Sequence, residues 1–184
     1  MESQDSKENI IKETVPSEII SIIGSILAGI ALSLLILPFK SFPILILIIP
    51  ALLSLRGNIS GPFIARTSRD FLIGEFNIKS CFENIFATYM LSIITAILIG
   101  ILSLFLNFIL IKLDTISFEL FIAIPLISIL FTLSISIPIS TILNYLAFRY
   151  GLNPNNVVNP IMTAIDDFFT VICFYLTIIL LGVS

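Results

Sequence analysis

Two adjacent carboxylates, Asp166 and Asp167, interrupt an otherwise apolar run that extends from Val157 to Leu181. A carboxylate near the centre of a bilayer costs roughly 2.5–3.5 kcal/mol on insertion scales, so it usually faces a partner, a cavity or an ion. A helix that begins near Val157 carries Asp167 roughly 15 Å inward, about half of a hydrocarbon core near 30 Å thick. The acid is therefore expected at mid-membrane, with function passing through it. Neighbours on a helix diverge by about 100°, so Asp166 and Asp167 cannot face one another within one chain. One is expected to line a pathway while the other flanks it. The bland alternative is a carboxylate neutralised by Arg56, the one basic residue placed within an apolar stretch, or capped by a hydroxyl.

A second polar interruption contains Pro50, then Arg56-Gly57-Asn58, then Gly61-Pro62. This density of breakers is expected to interrupt the helix where polar groups occur. Interrupted spans are the best sequence pointer to a transport site, because freed carbonyls and helix ends can face an ion. Other chemistries are removed by composition. The chain has no histidine, which excludes Ser-His-Asp triads and HExxH zinc sites. Cys81 and Cys173 fall on different expected elements and form neither a disulfide framework nor a CxxC metal site. Aspartyl proteolysis needs acids on two helices, and only one span has acids at depth, so no enzymatic activity is expected.

The elements that must position these residues follow from hydropathy. Of 184 residues, 58% are hydrophobic and 11% charged, and the mean hydropathy is +1.15. These values indicate an all-α polytopic membrane protein in a lipid bilayer. Apolar runs measured against about 20 residues per crossing give five spans: Ile19 to Leu37, Phe42 to about Ile64, Ile85 to Ile111, Phe118 to Phe148, and Val157 to Leu181. The second is expected to be broken at Gly57–Pro62. Turns are expected at Pro38 to Pro43, at Lys112-Leu-Asp and at Tyr150-Gly-Leu-Asn-Pro-Asn-Asn. Residues 1–16 form a polar, acidic segment without the h-region of a signal peptide, and residues 17–184 form the membrane domain. The net charge of −3 offers no basic stripe for nucleic acid.

Lys7, Lys12, Arg66, Arg69, Lys79 and Arg149 fall on one side of these spans, and Lys40 and Lys112 on the other. The bias places the N-terminus in the cytoplasm and the C-terminus outside, as expected for a multi-pass plasma-membrane protein. An odd number of spans provides no internally inverted pair of equal halves, which makes a homodimer an attractive way to complete a pathway.

The stretch Ile49-Pro-Ala-Leu-Leu-Ser-Leu-Arg-Gly-Asn58-Ile-Ser-Gly-Pro-Phe-Ile-Ala-Arg66-Thr-Ser-Arg69, followed by Gly74-Glu75, resembles the second transmembrane segment of the MgtE and solute carrier family 41 magnesium transporters. The stretch Asn153-Pro-Asn-Asn-Val-Val-Asn-Pro160-Ile-Met-Thr163-Ala-Ile-Asp166-Asp167 is similar to that family's last segment. Together with five spans in the expected order, the resemblance covers nearly all of the chain after about residue 16. It implies that Asp167 is the pore aspartate, Asn58 the asparagine of the Gly-Asn pair, and Thr163 the threonine before the acid. Asn153 stands where the family usually has aspartate, which puts a second ion site at the cytoplasmic mouth in doubt. The 184 residues hold no counterpart of the soluble N-terminal and CBS domains of bacterial MgtE, so gating by those domains is not expected.

Magnesium fits this reading physically. Mg²⁺ takes oxygen ligands in octahedral geometry, dehydrates reluctantly, and is usually held by one or two carboxylates while keeping several waters. Asp167 from each subunit of a dimer, with oxygens of Asn58, Thr163 and Ser60 nearby, suits a largely hydrated ion. Asp166 is a further candidate ligand. Ligand type does not separate Mn²⁺, Co²⁺ or Ca²⁺ from Mg²⁺. Against this stand three structural readings: Asn58 as a helix cap, and Thr163 and Ser60 bonding back to their own helix. Two further functions remain open: a Na⁺- or H⁺-coupled Mg²⁺ exchanger, and a non-transporting accessory subunit with Asp167 as an interhelical contact. The acids Glu2, Asp5, Glu8, Glu13 and Glu18 of the N-terminal segment offer weak binding of cytoplasmic cation.

Overall fold

The computed structural model describes residues 6–33, 43, 45–111 and 117–183, with the side chains of Arg56, Leu110 and Ile111 excepted. The described regular structure is helical: α1 (Lys7–Ser33), α2 (Leu45–Leu72), α3 (Ile78–Leu106, continued by a π-helical turn over Asn107–Ile111), α4 (Phe118–Arg149) and α5 (Pro154–Leu180). Five helices are long and apolar enough to cross a membrane. The five expected spans are present in order. The turns expected at residues 38–42 and 112–114 lie outside the described residues, as do Glu2 and Asp5.

Helix ends depart from the apolar runs in several places, and α2 runs on to Leu72, past the end expected at about Ile64. The first helix starts at Lys7, well before Ile19, and α3 starts at Ile78, before Ile85. The interruption expected at Gly57–Pro62 takes the form of a bend, with α2 helical from Leu45 to Leu72 and both Pro50 and Pro62 inside it. The physical reason is the medium. In hydrocarbon, an unwound segment strands several backbone groups, whereas each proline within a helix costs one hydrogen bond. Likewise α4 runs unbroken through Pro125 and Pro138 to Arg149.

Helix association in lipid is driven by close packing and interhelical hydrogen bonds, because lipid tails are as apolar as leucine. Two glycines show this. A Cβ built on Gly24 of α1 would lie 2.4 Å from the Ala164 Cβ of α5, and one on Gly100 of α3 would lie 2.6 Å from the Phe121 carbonyl oxygen of α4. Only glycine permits either approach. Helix α1 packs chiefly on α5, α5 on α4, and α4 on α3, while α2 touches α3, α4 and α5. Leu45, Leu52, Phe63, Leu133, Met162 and Phe174 are central in the resulting core.

The α2–α3 turn is built by local chemistry. Gly74, at φ 72°, lets its N–H reach the Phe71 carbonyl at 3.2 Å and lets the Glu75 N–H reach that of Asp70 at 3.0 Å, a left-handed helix stop. Asn77 then caps α3, accepting from the Lys79 N–H at 3.0 Å. Buried Asp70 receives the Ser80 hydroxyl at 3.2 Å and the Arg69 guanidinium at 3.3 Å. Phe71 stacks on Phe76 with ring centres 4.2 Å apart.

Candidate ion site

The site is assembled on α5 from its first residue. Asn153 is the N-cap, its Oδ1 accepting from the Asn155 N–H at 3.0 Å, and Pro154 occupies the first turn. The Glu13 carboxylate of α1 receives the Asn153 N–H at 3.3 and 3.4 Å and the Asn156 Nδ2 at 2.9 Å. A carboxylate thus satisfies donors at the positive end of the helix. Asn153, which stands where the resembled family usually has aspartate, is 8% exposed and engaged in capping.

One turn further, Pro160 leaves the Asn156 carbonyl without its helical donor. The Ser17 hydroxyl of α1 lies 3.1 Å from that oxygen, while also 2.8 Å from the Thr14 carbonyl. Contacts then continue in step. Gly24 meets Ala164, and the Ser25 hydroxyl donates to Asp167 Oδ2 at 3.5 Å. The offset between paired residues stays near constant, so α1 and α5 run parallel.

Above Asn153, α1, α2 and α5 enclose a recess of about 560 Å³. Helix α1 contributes Glu18 and Ser21, α2 the faces of Gly57 and Gly61, and α5 contributes Asn155, Asn159 and Thr163. The two α2 glycines are a turn apart and present no side chain, so the wall there is backbone. Asn58 is exposed and Ser60 is 8% exposed; they flank the glycine face and neither lines the recess. Pro62 deprives the Asn58 carbonyl of its helical donor.

The Thr163 hydroxyl donates to the Asn159 carbonyl of its own helix at 2.9 Å. This is the back-bond anticipated for it, and it does not remove the residue from ion chemistry. With its proton committed to the backbone, the oxygen has lone pairs left for a cation or its water. Asp167 follows one turn deeper and is half-buried. It is the middle residue of α5, thirteen from either end of Pro154–Leu180.

Asp166 occupies a different environment. It is 0% exposed and accepts the Ser136 hydroxyl of α4. Ser136 belongs to a buried row with Ser128, Thr132, Ser140 and Asn144, spaced every fourth residue. The hydroxyls of Ser128, Thr132 and Ser140 return to α4 carbonyls, and Asn144 Oδ1 accepts from Ser68 of α2 at 2.5 Å. The expected divergence of the two acids is therefore realised, with Asp167 towards α1 and Asp166 towards α4.

Sequence reading did not find Ser17, Ser21, Ser25 or the row on α4. The available signal was spacing: Ser17, Ser21, Gly24, Ser25 and Ala28 form one small-residue face in an isoleucine-rich run, and the α4 row repeats every four residues.

Long apolar helices, a mid-span carboxylate and an oxygen-lined recess define a polytopic membrane protein equipped to handle a hard cation. The family model for MgtE, divalent cation transporter, matches residues 49–177, and the chain belongs to that family. No curated protein and no solved structure gives a match. The match spans α2 through most of α5, including Asn58, Thr163 and Asp167. The protein is thus a multi-pass divalent cation transporter.

Proposed function

We propose that the protein is a homodimeric Mg²⁺ channel or transporter, with a largely hydrated ion held at mid-membrane by Asp167 from each subunit. The observation that carries this reading is the position of Asp167 at the middle of α5, half-exposed, one turn beyond Thr163 and the oxygen-lined recess. Asn58 and Thr163 supply further oxygens to the ion's water shell. Ser60 and Asp166, buried within the protomer, hold α2 and α5 in place behind them. The ion is Mg²⁺ in preference to softer metals because every candidate ligand is oxygen. The protein sits in the plasma membrane with residues 1–16 in the cytoplasm and the C-terminus outside, the orientation favoured by the Lys and Arg distribution.

The test is voltage-driven Mg²⁺ entry into proteoliposomes loaded with a Mg²⁺-sensitive dye, comparing the wild type with Asp167→Asn. Loss of entry with the dimer preserved is the expected result. Equal flux in the two proteins would remove the central claim. Absence of flux in the wild type under any gradient would favour a non-transporting accessory subunit.

A second reading, a Na⁺- or H⁺-coupled Mg²⁺ exchanger, is favoured by one observation. The buried Asp166 faces Ser136 on the α4 side, away from Asp167, so one helix carries two acids in separate environments. Mg²⁺ flux driven by a Na⁺ or pH gradient at zero voltage would select it.

A further inference from the structure

Between α2 and α3, separate from the recess against α5, lies a groove of about 350 Å³ with a polar mouth and an apolar floor. Arg66 and Asn84 form the polar mouth, Ile59 and Leu91 lie at the far end, and Pro62, Ala87 and the buried Thr88 stand between them. The two rails share a register. Ile59, Pro62 and Arg66 fall on one face of α2, while Asn84, Ala87, Thr88 and Leu91 fall on one face of α3. Seven residues separate Ile59 from Arg66 on α2 and Asn84 from Leu91 on α3, a length of about 10 Å at 1.5 Å per residue.

Arg66 is fixed at this mouth. Its Nε donates to Asn84 Oδ1 at 2.8 Å, which spends one donor and leaves the terminal amino groups of the guanidinium for a planar, bidentate acceptor. No carboxylate among the described residues lies within ion-pair distance of Arg66; the ion pair at this end of α2 is Arg69 with Asp70. The contrast is chemical. Arg69 is compensated, whereas Arg66 presents an unneutralised charge at the top of an apolar channel in a membrane-spanning surface.

We infer that this groove is a binding site for an anionic phospholipid, with the phosphate on Arg66 and an acyl chain along Ile59, Pro62, Ala87 and Leu91. Basic pockets between transmembrane helices bind anionic headgroups in this way. Charge complementarity selects the headgroup, and the apolar floor distinguishes a lipid from a free anion. The site is independent of the ion reading, since none of its residues is assigned to the ion.

The test is native mass spectrometry of the purified full chain exchanged into phosphatidylglycerol or phosphatidylcholine. The wild type is expected to retain phosphatidylglycerol about fivefold better, the preference that one basic contact supplies. Arg66→Gln is expected to abolish that preference, and Arg69→Gln to preserve it. Because Arg66→Gln also removes the Asn84 contact, Ala87→Phe serves as a second variant, filling the groove with the charge intact, and is expected to lower retention of phosphatidylglycerol. Equal retention of the two lipids by the wild type, or an undiminished preference in both variants, would overturn the assignment. So would displacement of phosphatidylglycerol by an equal concentration of inorganic phosphate.

Discussion

The Ser17 hydroxyl of α1 lies 3.1 Å from the Asn156 carbonyl, the acceptor that Pro160 strips of its donor within α5. A proline in one helix is thus answered by a hydroxyl in another. Ser17→Ala removes a hydroxyl proton shared among the Asn156, Glu13 and Thr14 carbonyls in a site 2% exposed. A loss of about 1–3 kcal/mol is expected, read as a lower melting temperature in detergent. Stability indistinguishable from wild type would mean that water serves the carbonyl instead.

Gly24 and Gly100 are expected to respond differently to the same change. Gly24→Ala drives a methyl against the Ala164 side chain, and Ala164→Gly should restore most of the lost stability. Gly100→Ala drives it against the Phe121 backbone oxygen, which no side-chain trimming relieves. Overpacking of this kind costs about 1–3 kcal/mol. A double-mutant cycle at Gly24 and Ala164 that shows no coupling would contradict the close approach.

Ser136→Ala takes a hydroxyl from a carboxylate that is 0% exposed. Leaving a buried polar group without its partner costs about 1–3 kcal/mol, so a destabilisation of that size is expected. Ser134→Ala on the same helix, at an exposed hydroxyl, should cost far less. Similar melting temperatures for the two variants would show that Ser136 does not support Asp166.

Mg²⁺ is expected to raise the melting temperature of the wild type and to lose that effect in Asp167→Asn. At a hundredfold excess over the dissociation constant, linkage gives about 2.7 kcal/mol. Thermal unfolding with and without Mg²⁺ reads it directly, and an equal rise in both proteins would locate the bound ion elsewhere.

The spans were legible because hydrocarbon leaves little choice: long apolar runs must be helical. Asp166 and Asp167 were legible for the converse reason, as charges where charge is costly. The start of α1 was not, since Lys7 to Pro16 lacks an apolar period and is tied to α5 by Glu13, a contact with a residue 140 positions away. The row from Ser128 to Asn144 was missed because serine and threonine barely lower hydropathy. Only their fourfold spacing shows a continuous inner face. Asn58 and Ser60 fall within the stretch where an interruption of α2 was expected, but which side each faces depends on how α2 turns at the prolines. That is a property of packing.

The parallel pairing of α1 with α5 joins the first helix to the last. Asp167 meets Ser25, and the recess forms, only once α5 has followed the other four helices into place. During biogenesis the earlier helices insert without an acid at their centre, and the two carboxylates enter the bilayer at the end, when Ser136 and Ser25 are already there to receive them.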